Sequence, residues 1–252
     1  MIQKILTAQV FLVSILLFFY SCSPKVSYIV SEKSENRNIS NDYGSTDEAV
    51  LKMIAPYKNE LDKTMNDVIG ELTETMEKER PNSTLSNFMC DAMVEVAKKK
   101  FPEQNIQFGL MNYGGIRINS FPKGPITVSR LYELMPFDNT LVIMRLDKQT
   151  TELLCERIIG IGGWPISKGL RIVAEGNQVK QIFINNINLE DITEDIFIAL
   201  PNYVAEGGDN SYMLVNRPRE DSGIYIRDIL IEYVKEQKII EPDTIKRIII
   251  NP

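Results

Sequence analysis

From Asp47 to the end of the chain, strand-like and helix-like patterns follow one another in irregular order, with no internal repeat and no second linker. That uninterrupted run limits the fold more than any other feature. Strict alternation of strand and helix would point to a parallel, doubly wound sheet, and blocks of one type followed by blocks of the other would point to separate domains. The mixed order predicts a single α+β domain over 47–252. Asp47 is placed to cap a helix in which Val50, Met53, Ile54, Tyr57 and Leu61 recur at helical spacing, with Pro56 expected to kink or break it. Val68, Ile69 and Leu72 around Gly70 read as a strand with a bulge. A strong helix is predicted over 85–99 with Phe88, Met89, Ala92, Met93 and Val96 inward, and Lys98, Lys99 and Lys100 complement the negative end of its dipole. Further strands are expected at 106–111, 140–146, 169–174, 179–185, 195–200 and 245–250, and helices at 129–135, 148–159 and 224–235.

Ahead of this domain, Lys4 precedes an apolar run from Val10 to Tyr20 broken only by Ser14. With Ile5 and Leu6 the segment reaches roughly sixteen residues, short of the ~20 that span a bilayer and suited to the core of a secretory signal. It ends in Phe19-Tyr20-Ser21-Cys22, which resembles a bacterial lipobox with Phe19 at the usual leucine. The expectation is a signal peptide over 1–21, cleaved before Cys22, with Cys22 acylated and the product a lipoprotein of the periplasm or outer membrane. A plain signal peptide or an uncleaved anchor is the alternative. A signal-like start also implies a whole gene product. Residues 22–46, mostly Ser, Asn, Glu and Lys, have little to bury and read as a flexible tether of about 25–30 Å root-mean-square span. Cys90 and Cys155 lie among apolar neighbours in helical patterns and read as buried free thiols, although a disulfide is chemically allowed outside the cytoplasm.

Lys and Arg number 28 against 34 Asp and Glu, so the net charge of −6 leaves no basic footprint for a nucleic acid polymer. The chain has no histidine at all. That removes Ser-His-Asp and Cys-His nucleophile systems, histidine-bearing zinc sites, and nearly every two-metal phosphohydrolase centre. The acidic run from Glu190 to Asp195 is no substitute and reads as a solvated turn.

Three loop segments carry the residues suited to binding. In Asn112-Tyr113-Gly114-Gly115-Ile116-Arg117 an apolar strand runs out into paired glycines, which let backbone approach a ligand and expose N–H groups. Asn112 offers both donor and acceptor, and Arg117 a planar fork suited to phosphate. In Met135-Pro136-Phe137-Asp138-Asn139-Thr140 a proline fixes the chain just ahead of an aromatic. From Pro201 to Asp209 a strand end is followed by Tyr203, then by Gly207 and Gly208 turning the chain onto Asp209. Each segment alone is compatible with an ordinary turn. Together, two loop aromatics, an amide, an acid and arginines meet what a nucleotide requires: rings to sandwich the base, polar groups for its edge and the ribose, and a guanidinium for phosphate.

On these segments the chain closely resembles the C-terminal domain of the 5′-nucleotidases, the group that includes ecto-5′-nucleotidase and the periplasmic UDP-sugar hydrolases. Ala55-Pro56-Tyr57-Lys58 and the stretch from Ser83 to Ala92 fit the same pattern. The resemblance implies that Phe137 and Tyr203 clamp the base, Tyr203 replacing the more common phenylalanine. It places Asn112 at a base- or phosphate-side contact, with Gly114, Gly115 and Gly208 in the substrate-binding loops. Arg117 falls at a substrate arginine, and Asp209 at a ribose- or base-binding acid. Arg80, about one residue out of register, matches a second substrate arginine. Complete family members also carry a metallophosphoesterase domain with two metal ions, absent from this sequence. The resemblance therefore implies a substrate-binding half of a split 5′-nucleotidase in nucleotide catabolism, itself without catalytic residues, metal or cofactor. The two divalent metals are expected on a partner metallophosphoesterase chain, and shared anchoring would raise the pair's effective concentration. The alternatives are a membrane-anchored nucleotide or nucleoside receptor without a hydrolase partner, and a hydrolase with a carboxylate-only metal site.

Overall fold

The computed structural model describes residues 47–251. The leader 1–21, Cys22 and the rest of the tether lie outside the described residues. Residues Lys52–Pro252 form one compact unit, which holds the mixed α/β domain.

Helix α1 (Glu48–Met65) is capped by Asp47, whose carboxylate accepts from the N–H of Ala49 at 2.8 Å and of Val50 at 3.3 Å. The break expected at Pro56 does not occur: the helix continues through it. A proline removes one donor, and because no residue of α1 is buried, the carbonyl left over can turn to water. The apolar residues that recur at helical spacing along it are exposed, Met53 at 66% and Tyr57 at 75%.

The strand with a bulge is present as β1 (Val68–Leu72), its register slipping between Val68 and Gly70 against β5 (Gly124–Thr127). A Cβ at Gly70 would lie 2.7 Å from Val234 and 2.8 Å from the Lys238 carbonyl, so the bulge needs glycine for close approach. After the short β2 (Met76–Glu77) comes helix α2 (Thr84–Lys100), capped by Ser83, with Phe88, Met89, Ala92, Met93 and Val96 buried as expected.

Four strands form the central sheet: β3 (Ile106–Gly109), β6 (Thr140–Leu146), β10 (Ile196–Pro201) and β11 (Arg219–Tyr225), in the order β11-β6-β10-β3. β10 runs parallel to β3 and antiparallel to β6. Both faces are covered, which explains the nearly unbroken apolar run of β6. Leu141 and Ile143 point into one core with α2, helix α3 (Val128–Leu134) and helix α6 (Ile226–Gln237). Val142, Met144 and Leu146 point into the other, shared with helix α4 (Lys148–Gly160), the short helix α5 (Asn202–Ala205) and strands β7 (Leu170–Glu175) and β8 (Gln178–Ile184). These last two belong to a second sheet, completed by β9 (Ile187–Asn188) and the closing strand β13 (Ile248–Asn251). A third sheet joins β1 and β5 to β12 (Ile239–Ile240), and β2 pairs with β4 (Ser120–Phe121).

Strand β11 is not anticipated by the sequence. Its residues, Arg-Glu-Asp-Ser-Gly-Ile-Tyr, sit at the sheet edge with most side chains in water, and Gly223 at φ +70° slips its register on β6. The helix expected from 224 therefore starts at Ile226. Cys90 and Cys155 are buried free thiols, and Glu190, Asp191, Glu194 and Asp195 are all exposed.

The end of the chain is held by Arg247, 3% exposed. Its guanidinium donates to both carboxylate oxygens of Asp91 on α2 (3.0 and 2.6 Å), to Asp243 (2.6 Å) and to the Ile166 carbonyl (2.7 Å). Two carboxylates share one buried cation, so removing it leaves charge without a counterpart. Arg247→Met is expected to lower stability by about 3–5 kcal/mol in urea unfolding, with little change in m-value.

Candidate functional site

The sheet brings the three sequence segments to one end. Because β3 and β10 are parallel, Asn112 and Tyr203 both follow the carboxyl ends of their strands. Because β6 is antiparallel to β10, with Leu141 opposite Pro201, the loop carrying Phe137 enters β6 at that same end. Asn112, Gly114, Gly115, Phe137, Asn139, Tyr203 and Asp209 line one cavity there, of ≈320 Å³. Phe137 is 39% exposed and Tyr203 42%, so neither ring belongs to the hydrophobic interior.

Backbone bonds set each loop. The turn Tyr113–Gly115 is closed by the Gly115 N–H on the Asn112 carbonyl at 3.1 Å. The Arg117 N–H on the Leu134 carbonyl (3.1 Å) ties the 112–117 loop to the end of α3, and the Ile226 N–H on the Asn139 carbonyl (2.9 Å) ties the Phe137 loop to the start of α6. Arg227 forms an ion pair with Asp138 at 3.2 Å, its guanidinium lying 4.1 Å from the centre of the Tyr132 ring. Asn202 joins the two aromatic loops, its side-chain oxygen accepting from the Thr140 N–H at 3.0 Å.

Asp209 is the polar centre of the site. Its carboxylate accepts from the Asn112 amide at 2.7 Å and from the Tyr203 hydroxyl at 3.1 Å, and its carbonyl accepts from Arg157 at 2.8 Å. Asp209 adopts φ +50° just after Gly207 at φ +92°, a tight turn that aims the acid back at Asn112. Asn112 is 5% exposed, and its side-chain oxygen is buried without a hydrogen-bond partner. A buried acceptor left unpaired carries a free-energy cost.

Of the expected site residues, Gly208 does not line the cavity but supports it: a Cβ there would lie 2.5 Å from both the Tyr203 ring and the Tyr203 carbonyl. Arg117 stands beside the cavity, 5.5 Å from the Phe137 ring centre. Arg80 is placed away from the lining, 4.0 Å from the Tyr113 ring centre, and donates to the Ile161 carbonyl. Sequence reasoning passed over Asn139, Arg157 and Asn202. Asn202 carried a signal, an amide directly after a strand-ending proline; Arg157 sits on α4 and carried none. Gly208→Ala is expected to destabilise the protein by about 1–3 kcal/mol, because the new methyl must displace Tyr203 or its backbone. Gly160→Ala, with open space around it, serves as the comparison and should be close to neutral in the same urea titration.

Residues 68–216 match the family described as 5′-nucleotidase, C-terminal domain. The chain is 28% identical over 200 residues to the trifunctional nucleotide phosphoesterase protein YfkN of Bacillus subtilis, covering 71% of this chain and 13% of that protein. It is 23% identical to a human 5′-nucleotidase over 184 residues, 63% of this chain and 32% of the relative. Among solved structures, a 5′-nucleotidase precursor from Thermus thermophilus superposes with a TM-score of 0.67 at 29% identity, over 81% of this chain and 43% of that one. Haemophilus influenzae NAD nucleotidase shares the fold, with a TM-score of 0.63 at 20% identity over 81% of this chain and 41% of the other. The chain thus spans less than half the length of these relatives, and it belongs to the 5′-nucleotidase C-terminal domain family.

Proposed function

We propose that this chain is the nucleotide- or nucleoside-binding half of a 5′-nucleotidase, with hydrolysis carried out by a separate metallophosphatase chain and this one held at a bacterial envelope membrane through lipid on Cys22. One observation carries the reading. Phe137 and Tyr203, from loops distant in sequence, present half-exposed rings to a single cavity whose wall also holds Asn112 and Asp209. A planar base between two rings gains about 1–3 kcal/mol per stacked face. Asp209 exchanges its bond from the Tyr203 hydroxyl for bonds from ribose or base donors, and Arg117 beside Phe137 meets phosphate.

Phosphate-ester hydrolysis in this family draws on two divalent metals, which polarise the phosphate and activate water. The residues present do not fit that pair. The sequence has no histidine, and the described residues gather no group of three or more His, Cys, Asp or Glu able to hold an ion. The part played by this chain is to bind and orient. The exposed apolar residues Met53, Ile54, Tyr57 and Leu61 of α1 give a partner chain a surface to cover.

Calorimetric titration with adenosine is expected to show binding that falls about tenfold in Phe137→Ala and in Tyr203→Ala, the loss of one stacked face. Unchanged affinity in both variants removes the clamp. Phosphate release from AMP with Mg²⁺, Mn²⁺ or Zn²⁺ is expected only when a metallophosphatase chain is added. Turnover by the purified chain alone overturns the division of labour, and tight binding with no turnover in either arm leaves a stand-alone receptor.

A further inference from the structure

Asp209 is the one acid among the residues that line the cavity, and both of its carboxylate oxygens are already engaged. Oδ2 accepts from the Asn112 amide at 2.7 Å, and Oδ1 accepts from the Tyr203 hydroxyl at 3.1 Å. The backbone beneath the acid is tied as well. Its carbonyl accepts from Arg157 at 2.8 Å, and Asp209 and Asn210 follow one another in the left-handed region, at φ +50° and +62°. The Asn210 side chain accepts from the Tyr212 hydroxyl at 3.0 Å, and the buried Ser211 hydroxyl donates to the Val204 carbonyl at 2.6 Å. A turn fastened at three successive residues holds the acid where it is, so a ligand meets Oδ1 with the Tyr203 hydroxyl on it. The ring and the hydroxyl of Tyr203 therefore act differently: the ring is a wall for a base, and the hydroxyl is a donor that competes with the ligand's own. A phenol is more acidic than a sugar alcohol and is the stronger donor of the two. A hydrogen bond gained by displacing another is worth only the difference between them, whereas one that replaces water on a carboxylate keeps more of its charge-assisted strength.

We propose that the Tyr203 hydroxyl, by occupying Asp209, cancels most of the advantage a sugar hydroxyl would have there, so that the site takes deoxyribonucleosides and their phosphates on nearly the same terms as ribonucleosides. This rests on the base-clamp reading above and adds to it the class of sugar. The determinant is one oxygen atom on an aromatic wall, separable from the wall itself: Tyr203→Phe keeps the ring and leaves Oδ1 of Asp209 to water, and a ribose donor then gains a bond without losing one.

The test is calorimetric titration of the full chain with adenosine, 2′-deoxyadenosine and 2′,3′-dideoxyadenosine, read as ratios of affinity within each protein. In the unaltered protein both deoxy compounds should bind within about threefold of adenosine. In Tyr203→Phe at least one of them should fall about fivefold further behind adenosine, the worth of one hydrogen bond no longer offset by another. Adding Asp209→Ala to Tyr203→Phe should bring the ratios back to within about threefold, because the acceptor is then gone. An unaltered protein that prefers adenosine about tenfold over either deoxy compound, ratios that do not move in Tyr203→Phe, or a sugar preference that survives the double substitution would each overturn the inference. Failure of the base clamp looks different: the unaltered protein would not bind adenosine at all, whereas failure of this inference alone leaves adenosine bound.

Discussion

Everything at the site depends on the pairing of β10 with its two neighbours. Pro201 faces Leu141 across an antiparallel ladder, and Ala199 faces Gly109 across a parallel one. Those two registers decide that two strand exits and one strand entry open at the same edge. Moving any of the three strands by one residue would also turn its side chains onto the opposite core. Burial on both faces therefore protects the register more strongly than a one-sided sheet would. The cavity inherits its geometry from a sheet that has no freedom to slide.

Above that sheet, individual residues convert position into recognition. Gly208 leaves room for the Tyr203 ring, and Asp209, in a left-handed conformation, turns back to Asn112. Arg227 and the backbone of Ile226 hold the loop behind Phe137. The site is thus built on the ends of rigid elements, while its polar centre is a carboxylate held by two side-chain donors. Arg247 plays a comparable part elsewhere, fastening the final strand to α2 in a domain whose two described cysteines stay unpaired.

Much of this was legible in the sequence because local signals and tertiary structure agreed. The helix Thr84–Lys100 had its apolar face and its terminal lysines, and the strand Thr140–Leu146 had its apolar run. The glycine- and proline-marked loops named the residues that the cavity collects. The rest was hidden for identifiable reasons. β11 is a polar edge strand whose side chains mostly face water, so no apolar pattern announces it. Pro56 argued for a break that an exposed helix did not need. Arg157 becomes a neighbour of the site only through folding, and no spacing in the chain records that.

The bond from the Thr140 N–H to the side chain of Asn202 has a thermodynamic meaning beyond its geometry. It links the two loops that carry Phe137 and Tyr203 through one amide, so their backbones are already held together in the folded chain. Under the binding reading proposed above, less loop order then has to be imposed when a ligand enters, and that share of the ordering penalty is met during folding.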